Sequence, residues 1–194
     1  FFLDPNLSKF YSVAPDGSLS REVKTALDDI LSMSPALNGT YKGKLKFKKL
    51  RDLVRCQITD SEFIPLNYST SRLDGKLPNV FLVDEAGALP NSYPIEAMRS
   101  GQLTILNKLG FVISTKYPTV NNPFEDEVGY AKRVLDGQVE DDTIFSLLYE
   151  PDNKSEWASD DGILEQANPL ACEVPEIMAD LKKKRVQAIE VASK

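Results

Sequence analysis

Two adjacent carboxylates, Asp84 and Glu85, close an unbroken apolar run, Val80-Phe81-Leu82-Val83. Four large apolar residues with no polar interruption are what a strand buried on both faces requires. A buried parallel strand that delivers Asp-Glu at its carboxyl end is the Walker B arrangement of nucleoside triphosphatases. There the first acid holds Mg²⁺, usually through water, and the second polarises the attacking water. The competing reading is a core strand running into an acidic surface turn. Ala86-Gly87-Ala88 follows the acids and is small enough for something to approach.

The composition narrows the chemistry further. Histidine is absent, which excludes imidazole bases, Ser-His nucleophile pairs and most zinc sites. Carboxylate, hydroxyl and cation chemistry are left. The net charge of −6 argues against wholesale coating of nucleic acid, so any polyanion contact has to be local. One local basic strip exists: Lys42, Lys44, Lys46, Lys48, Lys49, Arg51 and Arg55 occur within residues 42–55 against the single acid Asp52. It reads either as the charged edge of a hairpin or as a phosphate-backbone contact made by Lys44, Lys46, Lys48 and Lys49. A second basic run, Lys182 to Arg185, reads as a solvated helix face or as a DNA or subunit contact.

Two cysteines, Cys56 and Cys172, suit a reducing compartment better than a disulfide framework. No apolar stretch approaches the roughly 20 residues of a membrane helix. These features describe a soluble, intracellular chain of one domain with a sizeable core. It opens on Phe1-Phe2-Leu3 with neither an initiator methionine nor a signal peptide, and reads as excised from something longer.

The elements that must position the acids follow from pattern. Tyr11 to Ala14 is a short strand. Ser20 is placed to cap a helix with Val23, Ala26, Leu27, Ile30 and Leu31 on its apolar face, ended by Ser34-Pro35. Leu53–Thr59 and Glu62–Tyr68 form a hairpin joined at Asp60-Ser61. Pro94 opens a helix capped by Asn91 or Ser92 and ended by Gly101. Residues 110–115, GFVIST, form a second apolar strand that finishes in small polar residues. Asn122-Pro123 starts another helix, with Phe124, Val128, Ala131 and Leu135 on one face and Gly137 after its end; Ile144 to Tyr149 is the next strand. Past Glu150 comes an acidic, loop-rich stretch carrying Trp157, then a helix from Pro175 to Ala192. Alternating strands and helices predict an α/β fold, a mainly parallel sheet flanked by helices.

Order and spacing of four features resemble the ATPase domain of the phage terminase large subunit, the motor that packages viral DNA. They are the strand ending Asp84-Glu85, the Leu73-Asp74-Gly75 approach, the strand ending Ser114-Thr115, and Ala167-Asn168-Pro169. The resemblance implies a P-loop NTPase architecture of the ASCE type, incomplete at the amino terminus. Residues 1–150 would be the ATPase core without its Walker A segment, and residues 151–194 tail helices leading toward an absent nuclease domain.

By that resemblance Asp84 is similar to the metal-organising acid and Glu85 to the catalytic acid. Ser114 and Thr115 look like the coupling motif that senses hydrolysis, since a short hydroxyl can swap hydrogen-bond partners when phosphate leaves. Arg72 is a candidate trans-acting arginine finger, or a plain surface arginine. The cofactors implied are ATP and Mg²⁺. The partners implied are double-stranded DNA, the terminase small subunit, the portal of the procapsid and further copies in a ring, in the cytoplasm of a bacterial host and with no membrane. One departure stands out: Gly43-Lys44 and Gly75-Lys76 are both followed by leucine, so no G-x-x-x-x-G-K-[ST] exists here. This chain alone is therefore expected to be inactive. Two other functions compete, a superfamily 2 helicase-like ATPase, because Asp84-Glu85-Ala86-Gly87 is close to a DEAD-type motif, and a non-catalytic α/β scaffold.

Overall fold

A computed structural model describes residues 6–37, 47–68, 73–119 and 121–192. The chain divides into two compact units, residues 1–130 and 131–194.

The first unit is built on one six-stranded sheet. Its strands are β1 (Lys9–Ala14), β2 (Phe47–Lys49), β3 (Val54–Cys56), β4 (Glu62–Asn67), β5 (Val80–Val83) and β6 (Leu109–Val112), in the order β2-β3-β4-β1-β5-β6. The four strands β4, β1, β5 and β6 run parallel, and β2 and β3 are added antiparallel at one edge. Among the described residues two helices lie within this unit, α1 (Gly17–Met33) and α2 (Tyr93–Gly101), and a third, α3 (Pro123–Leu135), begins in it. The mainly parallel sheet flanked by helices agrees with the alternation read from sequence.

β5 is the apolar run that ends in the two acids. Phe81 and Val83 are buried, and burial of each side chain stabilises the fold by about 2 kcal/mol. They pack with Tyr11, Val13, Leu73, Ala86, Leu89, Ile95 and Met98 in the main core. β5 is paired along its whole length on both sides, with β1 from Phe10↔Val80 to Val13↔Val83 and with β6 from Val80↔Leu109 to Val83↔Val112. Gly110 lies opposite Phe81 in that register, and a Cβ at Gly110 would overlap the Phe81 ring. Gln102, just past α2, ties the amino ends of both strands by donating from Nε2 to the carbonyls of Asn79 (3.2 Å) and Leu109 (3.0 Å).

A smaller core of Leu31, Phe47, Val54 and Cys56 lies under the antiparallel edge, with Leu27, Leu37 and Phe63 packed against it. The basic segment supplies part of this edge: β2 pairs with β3 through Phe47↔Cys56 and Lys49↔Val54. The predicted hairpin is present but shorter, with Val54↔Phe63 and Arg55↔Glu62 as its pairs.

Four expectations are corrected. α1 is capped by Asp16, whose carboxylate accepts from the N–H groups of Ser18 and Leu19, and not by Ser20, which is buried inside the first turns. Its buried stripe runs through Ser20, Lys24 and Leu31, so Ala26 and Ile30 lie exposed; Lys24 reaches this position by pairing with Asp28 at 2.6 Å. Residues 144–149 form no regular element and join no sheet among the described residues, and Phe145, Leu147 and Tyr149 are exposed. An apolar segment acquires strand hydrogen bonds only where a neighbour offers its edge. β6 also ends earlier than predicted, at Val112, so Ser114 and Thr115 stand beyond the strand.

The second unit contains α4 (Asp161–Ala167) and α5 (Pro175–Ala192), with short 3₁₀ turns at Lys154–Glu156 and Pro169–Cys172. Asp160 caps α4 by accepting from Gly162 N–H. Asp161 binds Lys182 and Arg185 of α5, each at 2.6 Å, so two of the four basic residues of that run are used in pairing the helices. These partners hold the Asp161 carboxyl below the usual range, the hydrogen bond from Lys182 contributing most.

Candidate active site at the carboxyl end of the parallel strands

In an open α/β sheet, ligands bind outside the carboxyl ends of the strands, where the connections diverge and leave a crevice. Asp84 and Glu85 leave β5 at that edge, and Ser114 and Thr115 leave β6 beside them. The acids and the hydroxyls come from adjacent parallel strands, so the sheet register alone brings them together.

The backbone turns sharply between the two acids. Asp84 still donates its N–H to Val13 O of β1 at 2.9 Å, while Ala86 donates to Ile113 O beyond β6 at 3.2 Å. Glu85 is the pivot. Its φ and ψ of +52° and +45° are left-handed, a conformation that costs a residue with a Cβ roughly 1–2 kcal/mol. Asp84 Oδ1 accepts the Glu85 N–H at 2.9 Å and supports the turn from inside it. The 3₁₀ turn Ala86–Ala88 follows, with Ala86 and Gly87 buried.

The segment after β6 closes over that turn. Gly87 N–H donates to Ser114 Oγ at 3.0 Å, and Ser114 Oγ donates to Thr115 O at 2.9 Å. Tyr117 donates its phenol O–H to Glu85 Oε2 at 3.1 Å. The small residues after the acids accordingly do admit something close: a Cβ on Gly87 would lie 2.6 Å from Tyr117 Cδ2 and 3.1 Å from Ser114 Oγ. The hydrogen bond to Glu85 raises the Tyr117 phenol above its ordinary pKa, so it stays a neutral donor.

The other residues singled out from sequence lie elsewhere. Lys48 and Lys49 are on β2, the opposite edge of the sheet from β6. Lys49 is directed onto α1, where its amine donates to Asp28 O at 2.5 Å and also to the Ser32 hydroxyl; Lys48 is exposed. Lys44, Lys46 and Arg72 lie outside the described residues. A cavity of about 430 Å³ between Asp74, Lys76, Tyr93, Glu96 and Ser100 is lined by none of Asp84, Glu85, Ser114 and Thr115. Among the described residues no three His, Cys, Asp or Glu side chains cluster to cage a metal ion, and no helix is long and apolar enough to cross a membrane.

The family model described as "Terminase large subunit, ATPase domain" matches residues 30–133, more than half of the chain and the part that holds both acids and both hydroxyls. The chain belongs to the terminase large subunit ATPase domain family. The structure is similar to that of the HK97 bacteriophage large terminase, with a TM-score of 0.78 at 17% identity over 98% of this chain and 38% of that one. The chain thus spans well under half of that large terminase, and at this identity the likeness concerns the fold. It is also similar to the Thermus phage P74-26 large terminase ATPase domain, with a TM-score of 0.46 at 16% identity over 69% of this chain and 72% of that one. No curated protein matches the chain.

Tyr117 is the site residue that sequence reasoning missed. Nothing in Lys116-Tyr117-Pro118 distinguishes its tyrosine from any other in a loop; only the packing against Gly87 does.

Proposed function

We propose that the chain is the hydrolytic half of the ATPase centre of a phage terminase large subunit, whose cycle moves viral DNA into the procapsid. The observation that supports this most directly is the pairing of Asp84 and Glu85 at the carboxyl edge of a fully paired parallel strand, in a family defined by an ATPase domain. Asp84 Oδ1 is engaged by the Glu85 N–H, and Oδ2 has no protein partner among the described residues, so one carboxylate oxygen is left to a metal or its water. A single carboxylate suits Mg²⁺, which keeps most of its waters and completes its shell with substrate phosphates; bound as Mg·ATP it neutralises phosphate charge.

Glu85 acts on the water. Its carboxylate accepts from an attacking water and orients it, while Oε2 is already fixed by Tyr117. Ser114 and Thr115 form the coupling segment, since the Ser114 hydroxyl is bonded to the turn that follows the acids. The glycine loop and lysine that would cradle the β and γ phosphates are absent from this sequence and belong to another part of the intact large subunit. Double-stranded DNA, the small subunit, the portal and further copies in a ring are the partners this reading brings. The nuclease activity lies outside these residues.

The test is Glu85→Gln in the intact large subunit. Loss of ATP hydrolysis by orders of magnitude with ATP binding nearly unchanged is expected, because an amide accepts a proton from water far less readily than a carboxylate. Ordinary turnover by this variant refutes the reading.

A further inference from the structure

We propose that Tyr117 is a positioning residue for the Glu85 carboxylate, holding it through a phenol hydrogen bond while its ring is seated against Gly87. The inference rests on the assignment of Glu85 as the acid that orients water. A glutamate side chain has three rotatable torsions, and its reach is of no use to catalysis unless those torsions are fixed. Three observations show how they are fixed. Tyr117 O–H meets Glu85 Oε2 at 3.1 Å. The Tyr117 ring occupies the space that a Cβ on Gly87 would need, 2.6 Å from Cδ2, so its place is set by packing. Ser114, three residues before it, is bonded to Gly87 N–H at 3.0 Å, which anchors the segment carrying Tyr117 to the turn carrying Glu85.

The donor's chemistry suits the task. A phenol holds one carboxylate oxygen without adding a positive charge that would compete with the metal, and it leaves Oε1 to accept from water. Residues 114–117 touch the turn at two points, Gly87 and Glu85. A displacement of that segment therefore carries the carboxylate with it, and the placement of the acid depends on the segment that the coupling role assigns to Ser114 and Thr115.

The experiment is Tyr117→Phe in the intact large subunit, which keeps the ring against Gly87 and removes only the hydroxyl. With steady-state ATPase kinetics, kcat is expected to fall roughly ten- to a hundredfold with KM for Mg·ATP changed by less than about twofold, the pattern of a misplaced group that acts only in the transition state. Adding Tyr117→Phe to Glu85→Gln should lower residual hydrolysis by no more than about twofold, because the hydroxyl has then lost the group through which it acts. In ¹³C-tyrosine spectra the Tyr117 phenol should titrate above the ordinary range and move back toward it in Glu85→Gln. Unchanged kcat in Tyr117→Phe, with hydrolysis still abolished by Glu85→Gln, overturns the role of Tyr117 and leaves that of Glu85 intact. A rise in KM at constant kcat, or full additivity of the two changes, overturns it as well. Retained hydrolysis in Glu85→Gln removes the underlying assignment instead.

Discussion

The Ser114 hydroxyl accepts the backbone N–H of Gly87 at 3.0 Å, and so joins the exit of one parallel strand to the turn that follows the acids on its neighbour. Both groups belong to segments that have left the sheet, where backbone donors no longer find ladder partners. A side-chain hydroxyl satisfies a donor that would otherwise be buried without one. The same oxygen donates to Thr115 O, so a single side chain organises the loop in both directions.

Gly87→Ala tests the packing at this junction. The new methyl would meet Tyr117 Cδ2 at 2.6 Å and Ser114 Oγ at 3.1 Å, so the ring has to shift. Overpacking of this kind costs about 1–3 kcal/mol. A lower melting temperature and reduced hydrolysis are expected in the intact subunit. Parental values in both measurements would show that the ring yields freely.

Replacing Ser114 and Thr115 with alanine separates their roles. Ser114→Ala leaves Gly87 N–H without its acceptor and should destabilise the fold by about 1–2 kcal/mol in chemical denaturation. Thr115 is exposed, so Thr115→Ala alone should change stability by less than about 0.5 kcal/mol. The double variant should uncouple hydrolysis from DNA movement or slow both, read as length of DNA packaged per ATP consumed. Unaltered packaging per ATP means that the two are strand-exit residues only.

Glu62 sets an acid limit on the first unit. It is buried at the start of β4 and binds Lys9 and Arg55, and the hydrogen bond from Lys9 is the main cause of its lowered pKa. A carboxylate with a folded-state pKa below its unfolded value contributes stability that is fully present above the unfolded pKa, near about 4.3, and is lost as pH falls through the folded pKa. Stability should therefore decline on acidification from about pH 5 downward. Denaturation midpoints across pH 3–7 should show a shallower decline for Glu62→Gln, at lower stability near neutrality. Parallel curves for the two proteins would place the acid sensitivity elsewhere.

The 194-residue chain by itself is expected to show no ATPase activity and at most weak nucleotide affinity. Tight triphosphate binding in such folds comes from glycine-loop N–H groups at a helix amino terminus and from the loop lysine. Asp84 and Glu85 only add negative charge beside a polyanion. Calorimetric titration with Mg·ATP measures this. Micromolar binding, or turnover abolished by Glu85→Gln, would show that the phosphate site is built from residues of this chain.

β1 and β6 flank Val80 to Val83 completely. A run of four apolar residues announces burial on both faces, whereas Phe81 and Val83 are buried and Val80 and Leu82 on the other face are half-buried, and the run carries no information about which strands lie beside it. The neighbours are chosen by crossover connections and by the fit of pairs such as Gly110 and Phe81.

What the sequence determined by itself is local or periodic. Val80-Phe81-Leu82-Val83 followed by Asp84-Glu85 specifies a strand that ends in two acids and buries the Phe81 and Val83 face, because strand burial depends on side chains a few residues apart. Asn122-Pro123 fixes a helix start, with Asn122 Oδ1 accepting from Phe124 and Glu125 N–H, and Gly137 at a φ of +70° supplies the left-handed residue past its end. Only the tertiary structure decided the rest. Ile144 to Tyr149 has the composition of a strand and is not one here, since strand bonds need an edge that the segment's own residues cannot provide. The contact of Tyr117 with Glu85 spans 32 positions and arises because parallel pairing of β5 and β6 sets their exits side by side. A hydrogen bond of that kind depends on register and on a missing Cβ at Gly87, and neither leaves a pattern along the chain.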